Sequence, residues 1–242
     1  MSTLAPSLPT TANSILNSLT CAEYERLAIY LEPVEMRLGE VLCRPEQPIT
    51  HVYFPSRGTI SLVSTFEDGG SVEVGMVGNE GMFGVCVFLG TISTPLLAQV
   101  QLAGDGLRMP ADVLKSEFNK HGMLHDLLLR YTQAFITQVA LTAACNRAHH
   151  INGRLSKWLL MCQDRSQSKD LGLTHEFIAT MLGTRRAGVS EAAAQLRDAG
   201  VINYNRGRIT ILDRHRLEAE SCECYPMLKQ EFTRLVGSNV LA

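Results

Sequence analysis

The stretch Leu173-Thr174-His175-Glu176-Phe177-Ile178-Ala179-Thr180-Met181-Leu182-Gly183-Thr184-Arg185-Arg186-Ala187-Gly188-Val189-Ser190-Glu191-Ala192-Ala193-Ala194-Gln195-Leu196 decides the fold of this chain. Apolar residues recur at helical spacing on both sides of Gly183, so it reads as two helices joined by a tight turn. Thr174 is placed to cap the first helix. Glu176 follows in its first turn, where the helix dipole favours negative charge. Ile178, Met181 and Leu182 form the inward face, and Ala179 is small where a second helix must cross closely. Gly183 can take the left-handed conformation that ends the first helix. Thr184 is the expected cap of the second helix, whose inward residues are Val189, Ala193 and Leu196 and which Gly200 stops.

This spacing leaves Arg185, Arg186, Ser190 and Glu191 on the outer face near the second helix's start. A recognition helix meets base edges in the major groove there. Arginine pairs with guanine O6 and N7, glutamate accepts from cytosine N4, and serine or threonine binds phosphate or base. Val201 to Leu212 then reads as a β-hairpin turning at Asn205-Arg206-Gly207, which puts Arg206 and Arg208 within reach of a phosphate backbone. Two helices followed by a basic-tipped hairpin form a winged helix. A helical hairpin used only for packing explains Ala179, Gly183, Val189 and Leu196 equally well. It leaves two adjacent arginines at a helix start and two more on a turn unexplained. The residues expected to touch DNA are Thr174, Thr184, Arg185, Arg186, Ser190, Glu191, Arg206 and Arg208.

Charge agrees with that reading. Residues 147–216 carry 12 basic against 6 acidic side chains, and the rest carries 10 against 18, although the whole chain of 242 residues has a net charge of only −2. A basic segment on an acidic body suits a polyanion partner for that segment alone. Hydrophobic residues at 45% suffice for a core, and charged residues at 19% are too few for a disordered chain. No apolar run is long enough to span a membrane. Met1 to Thr11 reads as a loose tail without the features of a secretory signal. The seven scattered cysteines then read as free thiols of a cytoplasmic protein.

Upstream of the two helices the texture changes twice. Ser14 to Leu31 has a helical rhythm that Pro33 ends. From Val34 to Pro110 short runs alternate. Ile60 and Leu62 precede the turn Glu67-Asp68-Gly69-Gly70, Val72, Val74 and Met76 follow it, and Ala98, Val100 and Leu102 supply another strand. This predicts a small antiparallel roll. After Pro110 the period becomes helical to about Arg147. Leu124, Leu128, Tyr131, Phe135, Gln138, Thr142 and Cys145 step by four and three, the spacing of a coiled-coil seam. A helix of about 35 residues would be roughly 50 Å long. The expectation is a homodimer joined through Leu124, Leu128, Tyr131 and Phe135. The alternative is a helix packed on its own domain.

In the order roll, long helix, winged helix, and most closely from Ile151-Asn152-Gly153-Arg154-Leu155 to the wing, the chain resembles the Crp/Fnr family of bacterial transcription regulators. The resemblance implies an α+β fold: an N-terminal antiparallel β-roll like cyclic-nucleotide-binding domains, a long dimerisation helix and a C-terminal winged helix-turn-helix. The expected divisions are 1–110, 111–147, 148–216 and a helical tail at 217–242. It also implies a homodimer on a palindromic site that contacts RNA polymerase. By motif alignment the family's guanine-reading arginine falls on Arg186, the glutamate after it is Ala187 here, and a later arginine is Glu191, so the target sequence should differ. Cyclic-nucleotide binders of the family use a Phe-Gly-Glu stretch and a following arginine. Here Phe83-Gly84-Val85 and Thr91-Ile92-Ser93-Thr94-Pro95 lack both handles, so cyclic AMP is not expected to bind.

No cofactor or metal is expected. Cys21 and Cys43 stand too far apart for an iron–sulfur cluster, and Cys222-Xaa-Cys224 is too tight for an ordinary zinc pair. Cys145, His149 and His150 could place two ligands one helical turn apart, but they read first as packing at the hinge between domains. The chain has no Gly-rich phosphate loop, HExxH or Gly-x-Ser-x-Gly, and Glu73 and Glu80 read as solvated carboxylates, so an enzyme is not expected. Two readings stand beside the DNA-binding regulator: a sensor of another small molecule, haem or redox signal on the same scaffold, and a module making only protein contacts.

Overall fold

In the computed structural model, which describes residues 11–237, the alternating segments pair as one antiparallel sheet. Its strands are β1 (Glu32–Met36), β2 (Val41–Cys43), β3 (His51–Thr65), β4 (Ser71–Val77) and β5 (Leu97–Pro110). They lie in the order β1-β5-β3-β4, with β2 also on β5. Three register slips between Pro55 and Ile60 bend β3 against β5, the device by which a long strand curls into a roll. Gly58 sits at these slips with φ +88, and a Cβ there would meet the Leu102 carbonyl oxygen at 2.6 Å. The predicted turn at Glu67–Gly70 joins β3 to β4, and the Phe66 carbonyl accepts from Gly69 N at 3.0 Å. Ala98, Val100 and Leu102 face the core, as their alternation requires.

The helical stretches are more broken than their periodicity suggests. Ser14 to Leu31 is two short helices, α1 (Ser14–Asn17) and α2 (Cys21–Ala28), because Thr20 caps α2 by accepting from Glu23 N at 3.3 Å. The single helix expected after Pro110 is α3 (Ala111–Phe118) and α4 (Met123–Ala148). His121 has φ +56 between them, and Glu23 reaches from α2 to accept from Leu124 N at 3.3 Å, ending the break. The tail read at 1–11 lies outside the described residues apart from Thr11, as does the chain beyond 237.

The α4 seam corrects the sequence reading. Leu124, Leu128 and Tyr131 are buried in the core of their own chain, and Phe135 is half-buried against the same roll. The step of four and three therefore marks the face α4 turns to its own domain. Tyr131 and Phe135 lie where a Cβ on Gly81 or Gly75 would collide with their rings, so those glycines let the helix sit close. The Tyr131 hydroxyl donates to the Met82 carbonyl at 3.1 Å. The face α4 leaves exposed is a second stripe, Leu129, Gln133, Ile136, Ala140, Ala143 and Arg147.

After α4 the chain forms α5 (Ile151–Ser166), β6 (Asp170–Leu171), α6 (His175–Met181), α7 (Arg186–Asp198), β7 (Ile202–Asn205), β8 (Arg208–Ile211), α8 (Arg214–Glu220) and α9 (Cys224–Val236). The second sheet has the order β6-β8-β7. The fold is α+β, a roll followed by helices and a winged helix-turn-helix. Among the described residues no helix is long and apolar enough to cross a membrane.

Helix α5 docks this half onto the roll through buried polar contacts. Arg165 and Glu80 form an ion pair of 2.7 Å with both side chains fully buried. Arg165 also donates to Gln138 Oε1 at 3.1 Å, and Gln138 donates to the Met76 carbonyl at 2.9 Å, so α5, α4 and β4 share one network. Glu73 accepts from Trp158 Nε1 at 2.9 Å and from the Ser61 hydroxyl at 2.5 Å. Both carboxylates are thus interior groups, not the solvated ones expected, because each meets a polar partner from a segment some 85 residues away in sequence.

Burial holds the Glu73 carboxyl up at about 7, against hydrogen bonds from Ser61 and Trp158 and the charges of Arg165 and Lys157. In the unfolded chain it titrates near 4.5. Between these values the folded state binds more protons, so stability should fall as pH rises from about 4.5 to about 7 and then level off. The two values are separated by about 2.5 pH units, worth up to about 3 kcal/mol. Glu73→Gln should remove this slope, matching wild type near pH 5 and exceeding it at pH 8 in urea titrations. Parallel pH profiles for the two proteins would show that Glu73 does not titrate in the fold.

Candidate nucleic-acid interface

The reader forms because short capped helices pack through small residues. Thr174 caps α6 by accepting from Phe177 N at 3.2 Å. Gly183 has φ +57 at the turn, and Val189, Ala192, Ala193 and Leu196 bury one face of α7. The predicted cap of α7 is displaced by one residue. The N-cap is Arg185, without a side-chain cap bond, and Arg186 is the first helical residue. Thr184 instead continues the turn, its N–H donating to the Ala179 carbonyl at 2.9 Å. Arg185, Arg186 and Glu191 are exposed, while Thr184 and Ser190 are half-buried.

The wing turns tightly at Arg206 and Gly207, whose φ values of +45 and +78 suit the mirror-image turn of a two-residue hairpin. Arg206 and Arg208 are exposed at its tip. A Cβ on Gly207 would lie 3.3 Å from Thr174 Cγ2, so the wing tip rests beside the start of α6. His175, which sequence reasoning passed over, holds the three parts together. Its ring stacks on Tyr204 of β7 with centroids 4.0 Å apart, and its Nδ1 lies 2.9 Å from the Ser190 hydroxyl on α7. Burial first, and then the Arg186 charge, lowers its pKa, so the neutral ring is favoured. No periodicity marks a histidine for this role.

The structure thus brings Thr174 beside the wing turn that carries Arg206 and Arg208, and Ser190 beside His175, with Arg185 and Arg186 at the start of α7. Arg186 Nε stands 3.8 Å from exposed Glu176, a loose surface pair that a phosphate or base could displace at little cost. The basic count overstates the free charge, since Arg154, Lys157 and Arg165 are buried.

In the roll, Phe83, Gly84, Val85 and Thr94 line a cavity of about 90 Å³ with Ile49, Leu62 and Met82. A cavity of about 150 Å³ admits benzene, so this one is too small to enclose a nucleotide, and no charged side chain lines it. Sequence reasoning also kept apart what the fold joins elsewhere. Cys145 and His149 meet Cys222 and Cys224, while His150 caps α5 and stays exposed.

Known protein families match two separate parts of the chain. The cyclic nucleotide-binding domain family matches residues 33–121, and the Crp-like helix-turn-helix domain family matches residues 153–220. The global nitrogen regulator of Synechococcus elongatus is 24% identical over 210 residues, covering 83% of this chain and 94% of its own. FixK2 from Bradyrhizobium japonicum superposes with a TM-score of 0.67 at 17% identity, covering 79% of this chain and 98% of its own. A CRP-family transcriptional regulator from Thermus thermophilus gives 0.64 at 21% identity, covering 78% and 96%.

Proposed function

We propose that this chain, which belongs to the Crp/Fnr family of DNA-binding transcription regulators, binds a two-fold-symmetric duplex site in the cytoplasm as a homodimer. In this reading Arg186 reads a base, Arg206 and Arg208 clamp phosphates, and Thr174, Thr184, Arg185, Ser190 and Glu191 complete the contact surface. RNA polymerase is the further partner that family membership suggests. The observation that carries the reading is the exposed pair Arg185–Arg186 at the start of α7 together with a basic-tipped wing whose strand β7 is linked to α7 through His175. Selection from a randomised duplex pool tests it. A two-fold-symmetric motif should emerge, with affinity falling steeply as salt rises. Cyclic AMP should leave that affinity unchanged, since the roll's small cavity has no cation for its phosphate. Selection of no motif, or of single half-sites only, would overturn the proposal.

The dimer is assigned to the exposed stripe of α4, not to the buried seam. Leu129 and Ile136 are 43% and 55% exposed, and Ala140 and Ala143 continue the stripe with side chains small enough for close helix approach. A symmetric pairing sets each residue near its twin, so Ile136→Asp places two carboxylates in one apolar seam. Association should weaken on the order of 100-fold, about 2.7 kcal/mol. Leu128→Asp should instead unfold the roll. Sedimentation finding Ile136→Asp as dimeric as wild type would move the interface elsewhere.

A further inference from the structure

The end of α4 and the loop between α8 and α9 gather four metal-ligating side chains that the DNA-binding role does not use. Cys145 lies in the last turn of α4 and His149 is its C-cap, while Cys222 precedes α9 and Cys224 is its first residue. One donor atom from each lies within 4.8 Å of every other. Cys145 Sγ is 3.5 Å from Cys222 Sγ, and Cys224 Sγ is 3.6 Å from His149 Nδ1. Around a tetrahedral zinc ion, with bonds of about 2.3 Å to sulfur and about 2.1 Å to nitrogen, neighbouring donors stand roughly 3.5–3.8 Å apart. Two donor pairs thus already stand at ligand-shell distance, and all four donors lie within 4.8 Å of one another.

Apolar packing of thiols accounts for the buried sulfurs but not for their surroundings. His149 turns Nδ1 toward Cys224 while its Nε2 lies 3.0 Å from Glu223 Oε1. A carboxylate on the far nitrogen is the arrangement that orients metal-bound histidines. Charge is the second, independent observation. Lys157 and Arg154 are buried at 6% and 9% exposure, yet neither forms an ion pair with a carboxylate among the described residues. Both line one hollow with Cys145 and the buried Glu73, and Arg154 Nε lacks a hydrogen-bond partner. Buried cations call for a compensating anion. The Glu73 carboxyl of that hollow is engaged by Ser61 and Trp158, whereas three thiolates and a neutral imidazole around a divalent cation carry one net negative charge beside both cations. The one-residue spacing of Cys222 and Cys224 is no obstacle, because the chain bends into α9 at Glu223 and both sulfurs face Cys145.

We propose that Cys145, His149, Cys222 and Cys224 bind one zinc-class divalent cation in a closed tetrahedral site. On binding, up to three thiol protons pass to solvent and three sulfur bonds and one nitrogen bond form to the ion. The ion ties the start of α9 to the α4–α5 junction, where the roll's last helix hands over to the reader. Because α9 also packs along α4, with Phe232 beside Tyr131 at 6.4 Å between ring centroids, the site fixes one end of that helix pair.

Full-length protein purified under reducing conditions and supplied with zinc sulfate tests this by native and denaturing mass spectrometry with metal analysis. One zinc per chain is expected, lost on denaturation. Cobalt(II) in its place should show the visible bands of tetrahedral thiolate coordination. Cys224→Ser should fall below stoichiometric zinc. Glu223→Gln, which leaves all four donors in place, should stay folded and bind zinc about 10–100-fold more weakly in chelator competition. Zinc no higher than trace, equal zinc in wild type and Cys224→Ser, or a Cys145–Cys222 disulfide persisting under reductant would each overturn the proposal.

Discussion

Replacing Arg165 by methionine is expected to destabilise the protein by about 3–5 kcal/mol, because it strands the Glu80 carboxylate in a fully buried position. The pair joins the two halves: Glu80 belongs to the roll and Arg165 to α5. Arg165 Nε donates to Glu80 Oε1 at 2.9 Å, Gly78 N donates to the same oxygen at 3.1 Å, and Arg165 Nη1 donates to the Met161 carbonyl at 3.2 Å. Removing the cation leaves one amide donor for a buried charge. Ordinary core damage would lower the midpoint of a single transition. Here urea unfolding should separate into two transitions, as the reader leaves the roll before the roll unfolds. Adding Glu80→Gln to Arg165→Met should recover much of the loss, since a neutral amide still accepts from Gly78 and no charge stays buried. A loss below about 1 kcal/mol for Arg165→Met, or no recovery in the double variant, would mean that the pair does not hold the halves together.

The reader and the central strands were legible from sequence because local chemistry specifies them. A cap at Thr174, a left-handed Gly183 and the turn at Asn205–Gly207 each act over a few residues, and the alternation around Ile60 and Val74 is set by the pleat. Features that depend on which surface meets which were not legible. The step of four and three through Leu128 states that one face of α4 is apolar, but not what covers it. That face belongs to the roll and α9, leaving the weaker stripe through Ile136 outside. Arg165 counted as one more charge of a basic segment until its partner Glu80 was in view. Cys145 and Cys222 are 77 positions apart, and neither spacing within α4 nor the tight pair at 222 and 224 signals that the chain returns there. The α7 cap moved from Thr184 to Arg185, a one-residue displacement typical of helix ends.

Arg186→Ala and Arg206→Ala should weaken DNA binding in different ways, and that difference separates reader from clamp. Arg186 is the first residue of α7, exposed and, among the described residues, paired loosely with Glu176 at 3.8 Å, so its guanidinium can enter a major groove and pair with a guanine. Losing it should cost about 1–3 kcal/mol per half-site and relax preference at one position in each. Two equivalent half-sites double the loss to roughly 2–6 kcal/mol per complex. Arg206 stands on the wing turn beside Thr174, and the proposed reading gives it a phosphate to clamp. Its removal should weaken all sequences about equally and lower the salt slope by about one for each phosphate left unneutralised. Both residues are exposed, and neither side chain bridges the roll to the reader, so stability should change by no more than about 0.5 kcal/mol. The measurement is selection from a randomised duplex pool by wild type and both variants, with salt titrations on the selected site. If Arg186→Ala keeps the wild-type motif while Arg206→Ala alters it, the roles are reversed. If both keep the motif and lose only salt-dependent affinity, the base is read further along α7, with Ser190 and Glu191 next to test.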